Sequence, residues 1–337
     1  NSKYTGEASI LAILMMIFGV AILLLNQISV KSRKSYTTVT GKSGQISKFN
    51  LGRSGKYIIA IILIIITFFT SIFPIVSFAF ETFLPNPGDY SFLYTGDPDN
   101  LTTKWWVTNE NITENGMYGQ QGILYNDMIW HAYKGTIMVS VCCALTAGTI
   151  GTLIGYAVSK NRRSRWANYV NSMAFLPYLM PSIAVGVAFF ILFSNKYVNL
   201  FNTYALLIIV GTVKYIPFAS RSSLNSMLQL SGEIEEAAII QDIPWTKRMT
   251  RIIIPIQKTS IISGYLLPFM TCLRELSLFI LLCVQGFILS TTLDYFDEMG
   301  LYAFSSGINL ILIVTILICN ALVNKATGAS LDKGIGG

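Results

Sequence analysis

Six long apolar runs constrain this chain more than anything else in it. They fall at approximately Tyr57–Phe80, Gly135–Val158, Val170–Phe193, Tyr204–Ser220, Ser260–Val284 and Ala303–Val323, with a seventh, Ala8–Leu25, ahead of them. A bilayer core is crossed by about 20 apolar residues in helical conformation. No strand-like alternation competes, and a helix satisfies its backbone hydrogen bonds internally, as lipid demands. The expected class is an all-α integral membrane protein. Composition agrees: 12% of the 337 residues are charged, against roughly 25% in soluble domains.

The basic residues set an orientation. Placing Lys and Arg alternately after each span, with the amino terminus outside, puts 18 of the 24 on one side, leaves Lys3, Lys104, Lys134 and Lys196 on the other, and places Lys214 and Arg274 within spans. Cytoplasmic loops accumulate Lys and Arg, so the rich side is expected inside. That bias accounts for the net charge of +7 without nucleic acid. The first residue is Asn1, and "NSKYTGE" has neither the basic n-region nor the cleavage site of a signal peptide. The chain therefore reads as the rear part of a longer polypeptide.

Several chemistries are disfavoured. Cys142, Cys143, Cys272, Cys283 and Cys319 lie in apolar runs without CxxC spacing, which fits packing residues. A single histidine, His131, argues against a His-based metal or nucleophile site, and no HExxH or GxSxG occurs. "TGKS" at Thr40–Ser43 mimics a phosphate loop, but Tyr36 stands where the pattern needs glycine. It belongs to a basic linker, residues 26–56, with seven Lys and Arg and no acid, suited to anionic headgroups. No catalytic residue and no bound metal are expected.

Three segments invite function. The loop at 81–134 is expected outside and carries seven acids and two lysines. It is either a contact for an external partner or a local cap. Pro177 and Pro181 in the third span remove hydrogen bonds from one helix face and predict a bend. The segment 221–258 is expected in the cytoplasm. Its "EIEEAAIIQDIPWTKRMTRIIIP" sets acids at the start of one short helix, where the dipole favours them. A break follows at "QDIPW", with Asp242 able to cap and Pro244 suited to a first turn, and then a basic helix running to Pro255. Basic residues normally line the polar face of a lipid-lying helix. The leading acids Glu233, Glu235 and Glu236 favour a protein groove instead.

That segment carries a resemblance. Glu236-Ala237-Ala238, then Asp242 where a glycine is usual, then Ile252, Ile254 and Pro255 resemble the EAA loop of permease subunits of binding-protein-dependent ABC importers. The match covers about 20 residues with the register and the position before the penultimate span preserved. The resemblance implies a six-helix, MetI-like permease unit in a bacterial cytoplasmic membrane. It also implies a loop that docks into a partner ABC ATPase dimer, which binds ATP and Mg²⁺, and an extracytoplasmic solute-binding protein. Glu236, Ala237 and Ala238 would form the docking core. Asp242 departs from the pattern mildly, because Asp tolerates left-handed geometry better than most residues. "SYTTVTGKSGQISKFNLG" and "LRELSLFILL" are similar to the half-junction and fifth span of fused ferric-iron-type permeases. Residues 1–25 would then end an upstream permease half, although a second permease copy would serve the same role. The expected layout is this piece, the linker 26–56, the six-span unit 57–323 and a cytoplasmic tail 324–337. The implied solute is ferric iron or a small anion such as a sugar phosphate or phosphonate.

Arg274 and Glu275 are expected mid-span, where charges are costly and commonly face a cavity or a partner. Neighbours on a helix point about 100° apart. Arg274 is therefore assigned to the translocation path, and Glu275 to a pair with Lys214 or the other half, with a purely structural ion-pair network as the alternative. A gradient-driven channel or secondary transporter is the competing function class; the EAA loop argues against it.

Overall fold

The computed structural model describes residues 52–86, 88–91, 101–112, 119–194 and 197–327, with isolated positions between 10 and 21. Most of the run Ala8–Leu25, the linker up to residue 51 and the tail from 328 lie outside the described residues, as does Thr40–Ser43.

The first span comprises α1 (Gly52–Thr67), a π-helical turn (Phe68–Ile72) and α2 (Phe73–Glu81). After a short α3 (Lys104–Val107) come α4 (Asp127–Lys160), α5 (Arg165–Leu179), α6 (Ser182–Phe193) and α7 (Tyr204–Gln229). The charged loop holds α8 (Gly232–Ile240), α9 (Trp245–Arg248), a second π-helical turn (Met249–Ile253) and α10 (Ile254–Ile256). The chain closes with α11 (Lys258–Leu273), α12 (Leu289–Glu298) and α13 (Tyr302–Thr327). Among the described residues, four helices are long and apolar enough to cross a membrane, or up to six spans if each of two bent pairs counts as one.

Local chemistry sets the boundaries. Asn126 caps α4, its side chain accepting from Ile129 N at 3.2 Å. Asp127 stands in the first turn and Lys160 in the last, both complementing the helix dipole. At 34 residues and 1.5 Å per residue, α4 is about 50 Å long, so its ends stand clear of the hydrocarbon. Both π-helical turns run into a proline two residues past their end, Pro74 and Pro255. A proline ring clashes with the carbonyl four residues back, and widening the helix relieves that contact. The Ile254 amide accordingly reaches Met249 O, and Phe73 reaches Phe68 O.

The third span bends where Pro177 and Pro181 predict it, with α5 and α6 meeting at 101°, and two others differ from the sequence expectation. Pro177 lies inside α5, and Pro181, at φ −54° and ψ 136°, opens α6. The fourth runs on to Gln229, so the charged loop begins about nine residues later than the apolar run implies. The fifth is shorter. Helix α11 stops at Leu273, and 274–287 form turns rather than helix. The Glu275 carboxylate accepts the Leu278 amide at 3.1 Å, a local side-chain bond that competes with helix continuation.

Helices α4 and α7 form the centre, with α11 packed on both and α5 on α7. Their contact is a seam of small residues. A side-chain carbon on Gly151 would sit 2.5 Å from Ala219 Cβ and 2.7 Å from Ser220 N, and one on Gly155 2.7 Å from Leu224 N. Hydroxyl pairs cross the same seam, Thr146 with Thr212 and Thr152 with Ser223 at 3.1 Å. Small residues and interhelical hydroxyl bonds are what hold helices together where surrounding lipid removes the hydrophobic incentive. The first span, in contrast, exposes Ile58, Ile61, Ile64, Ile65 and Phe69 and buries none of its most apolar stretch, as befits a helix bathed in acyl chains.

The acidic loop folds onto the helix ends as a cap. Trp105 donates its indole N–H to Leu84 O at 2.7 Å and meets Phe304 edge-on at 5.8 Å. Phe304 stacks on Phe296, and Ile123 and Leu84 are buried beside them. Of the two sequence readings for this loop, local packing is the one visible in its contacts.

Candidate functional site: the charged loop and the charges between the spans

The loop is a clasp. Helix α8 ends in a Schellman turn: Asp242 N–H bonds Ile239 O at 2.9 Å and Ile243 N–H bonds Ala238 O at 3.1 Å. This turn needs a left-handed residue, and Asp242 supplies it at φ 55°. The residue expected to mimic glycine adopts the glycine conformation. Pro244 then precedes α9, whose axis, continued to Ile256, meets α11 at 86°. Met249, Ile253, Met227 and Ile261 form a buried cluster beneath the loop, with Tyr156 and Tyr265 against it. The amphipathic loop therefore lies on the ends of its own spans.

Its outward side is defined by what is turned in. Glu235 and Ala238 are buried. Glu236 and Ala237 are exposed, beside Ile234, Ile239 and Ile240, the last 85% exposed. Of the three residues assigned to the docking core, two face out and Ala238 packs within the chain. Asp242 and Pro255 are exposed and Ile252 half-buried.

Sequence reasoning passed over Glu235. Its carboxylate receives the Tyr156 hydroxyl and the Lys160 ammonium from the end of α4, and Arg248 Nε lies 3.8 Å away. Arg248 also donates to Ile243 O at 3.3 Å. Burial alone would push the Glu235 carboxyl up. The hydrogen bonds from Lys160 and Tyr156 and the charges of Lys160 and Arg248 outweigh it and hold the group below the usual carboxylate range. Three acids in four positions gave no hint which one turns inward. The signal was phase: Glu235 and Ala238, three apart, share a face.

Between the spans the assigned residues come together differently than expected. Lys214 is buried, and its ammonium donates to Pro177 O at 3.0 Å and Met180 O at 2.5 Å, bridging the break between α5 and α6. Glu275 accepts from the Tyr215 hydroxyl at 2.8 Å and from Leu278 N, so its contacts are not with Lys214. Arg274 closes the end of α11 rather than occupying a mid-helix site. It is exposed and has no ion pair among the described residues. Pro177, Met180 and Lys214 therefore form one joint at the break before Pro181, while Glu275 holds Tyr215 and the turn after α11, with Arg274 exposed beside it.

Residues 147–329, just over half of the chain, match the family of the binding-protein-dependent transport system inner membrane component. The chain belongs to that family. Among the relatives of this permease, the putative ferric transport system permease protein FbpB 1 of Haemophilus influenzae is 24% identical over 279 residues, covering 82% of this chain and 40% of its own. The putrescine transport system permease protein PotI of Escherichia coli K12 is 26% identical over 204 residues, 58% of this chain and 68% of its own. The permease chain thus spans about two fifths of the length of the ferric relative. A solved bacterial alginate ABC transporter, in complex with an alginate pentasaccharide-bound periplasmic protein, has the same fold. Its TM-score is 0.56 at 15% identity, over 82% of this chain and 96% of that one.

Proposed function

We propose that this permease unit forms one side of the solute path of an ATP-driven importer. In this reading α8 is the piece seated in the groove of a separate ATPase, which binds ATP and Mg²⁺. A second permease half completes the path, and an extracytoplasmic binding protein delivers the solute from the side of the aromatic cap. The observation that carries the reading is the outward face of α8. Ile234, Glu236, Ala237, Ile239 and Ile240 stand exposed on a helix whose inner face is pinned by Glu235. Large apolar side chains presented beside an acid on a rigid short helix suit a protein groove. Coupling needs contacts that differ between the two states of the partner, and a rigid seated helix supplies them. Glu236→Lys will lower co-purification of the ATPase at least tenfold and abolish ATP-driven uptake while leaving the permease monodisperse. Survival of both association and uptake refutes the docking assignment.

The solute this path favours is anionic: a ferric complex of net negative charge, a sugar phosphate or a phosphonate. Arg274 supports this, being a charge at the end of α11 whose guanidinium is exposed and has no ion pair among the described residues. With ferric citrate as the probe, Arg274→Ala will cut uptake at least tenfold with the assembly intact. Unchanged uptake removes Arg274 from the path.

A further inference from the structure

The docking helix is tied to the body of the permease by more than its own chain ends. Covalently, α8 is joined to α7 through Leu230 and Ser231, and to α11 through the loop that bends by 86°. A third connection is non-covalent and runs to a different helix. Tyr156 and Lys160, one turn apart at the end of α4, both grip Glu235, and Arg248 approaches the same carboxylate from α9. Trp245 packs over the Tyr156 ring at 6.2 Å between centroids. Glu235 itself is on the inward side of α8, away from the exposed face of Ile234, Glu236 and Ile240.

We propose that Glu235 is a positioning residue that passes movement of α8 directly to α4. With Tyr156, Lys160 and Arg248 it forms a latch that makes α8 and the end of α4 respond together to the ATPase. The inference rests on α8 being the docking helix and adds the route by which its displacement reaches the spans. The geometry favours a force-bearing role over simple stabilisation. A buried carboxylate is costly unless fully partnered, and an apolar residue at 235 would carry no such cost. What the ionic cluster adds is direction: the Tyr156 hydroxyl and the Lys160 ammonium of α4 both close on one carboxylate of α8, with the Arg248 charge 3.8 Å away. Helix α4 is also the effective recipient, because it packs on α7, α11, α5 and α12.

The test uses the assembled complex with its ATPase in nanodiscs and needs no solute. Amide hydrogen exchange is followed without nucleotide and with ATP plus vanadate. In the wild type, exchange at 233–241 and at 155–165 should each change at least threefold on trapping. In Glu235→Gln the response at 233–241 should persist while that at 155–165 is lost. Tyr156→Phe keeps the ion pair with Lys160 and should retain part of it, which guards against a folding defect in the first variant. If 155–165 still responds fully in both variants, the latch is not the route and the proposal falls, with docking untouched. If 233–241 does not respond in the wild type, the docking reading itself fails and takes this inference with it.

Discussion

Gly151→Leu will prevent the permease from accumulating as a folded, monodisperse species in detergent. The space a side chain would need is already held by Ala219 and by the backbone nitrogen of Ser220, at 2.5 and 2.7 Å from even a first carbon. Backbone cannot rotate away as a flexible side chain can. Overpacking a core typically costs about 1–3 kcal/mol. Here α4 and α7 would separate along their length, breaking the Thr146–Thr212 and Thr152–Ser223 bonds as well. Gly151→Ala should fold with a lowered thermal midpoint. Gly232→Ala is the control, because a carbon there meets only the Glu236 carboxylate, at 3.7 Å, and it should match the wild type. A stable Gly151→Leu protein would mean that the two helices do not touch at this point.

Lys214→Met should loosen the joint in the third span. Pro181 has no N–H to offer the Pro177 carbonyl, and Ala184 N, the natural donor to Met180 O, turns to Pro181 O at 3.0 Å instead. Lys214 stands in for both missing donors. An orphaned buried acceptor costs about 1–3 kcal/mol; relief from burying an ammonium offsets part of that, so the net loss is less than two carbonyls would suggest. The expected readings are faster amide exchange across 177–186 and a lower thermal midpoint. Lys214→Gln, which retains an N–H donor, should lie between. Unaltered exchange in the methionine variant would show that the break holds without this lysine.

What could be read from the chain alone follows the nature of each signal. Helices α4 and α13 were legible because uninterrupted apolar runs with polar flanks have one outcome in a bilayer. The left-handed turn at Asp242 was legible because turn chemistry is local. The fifth span was not. Leu276–Val284 is as oily as any helix here, and hydropathy cannot register that the Glu275 side chain captures the Leu278 amide and halts the helix one turn earlier. The glycine seam escaped for the opposite reason: hydropathy treats Gly151 and Gly155 as filler, whereas spacing of four along one helix face marks a contact. Arg274 and Glu275 were found by their cost, but their roles depend on where α11 ends. For Glu235 the phase it shares with Ala238 marks the inward face, but its partners Tyr156 and Lys160 lie on α4 and are brought to it only by the fold.

The seam between α4 and α7 also limits how the molecule can change shape. Two helices in backbone contact, cross-linked by hydroxyls, can neither slide nor roll past one another without first coming apart. They behave as a keel, and any stroke delivered to this chain must be absorbed where it is already articulated: at Met180–Pro181, and in the non-helical stretch from Arg274 to Phe287.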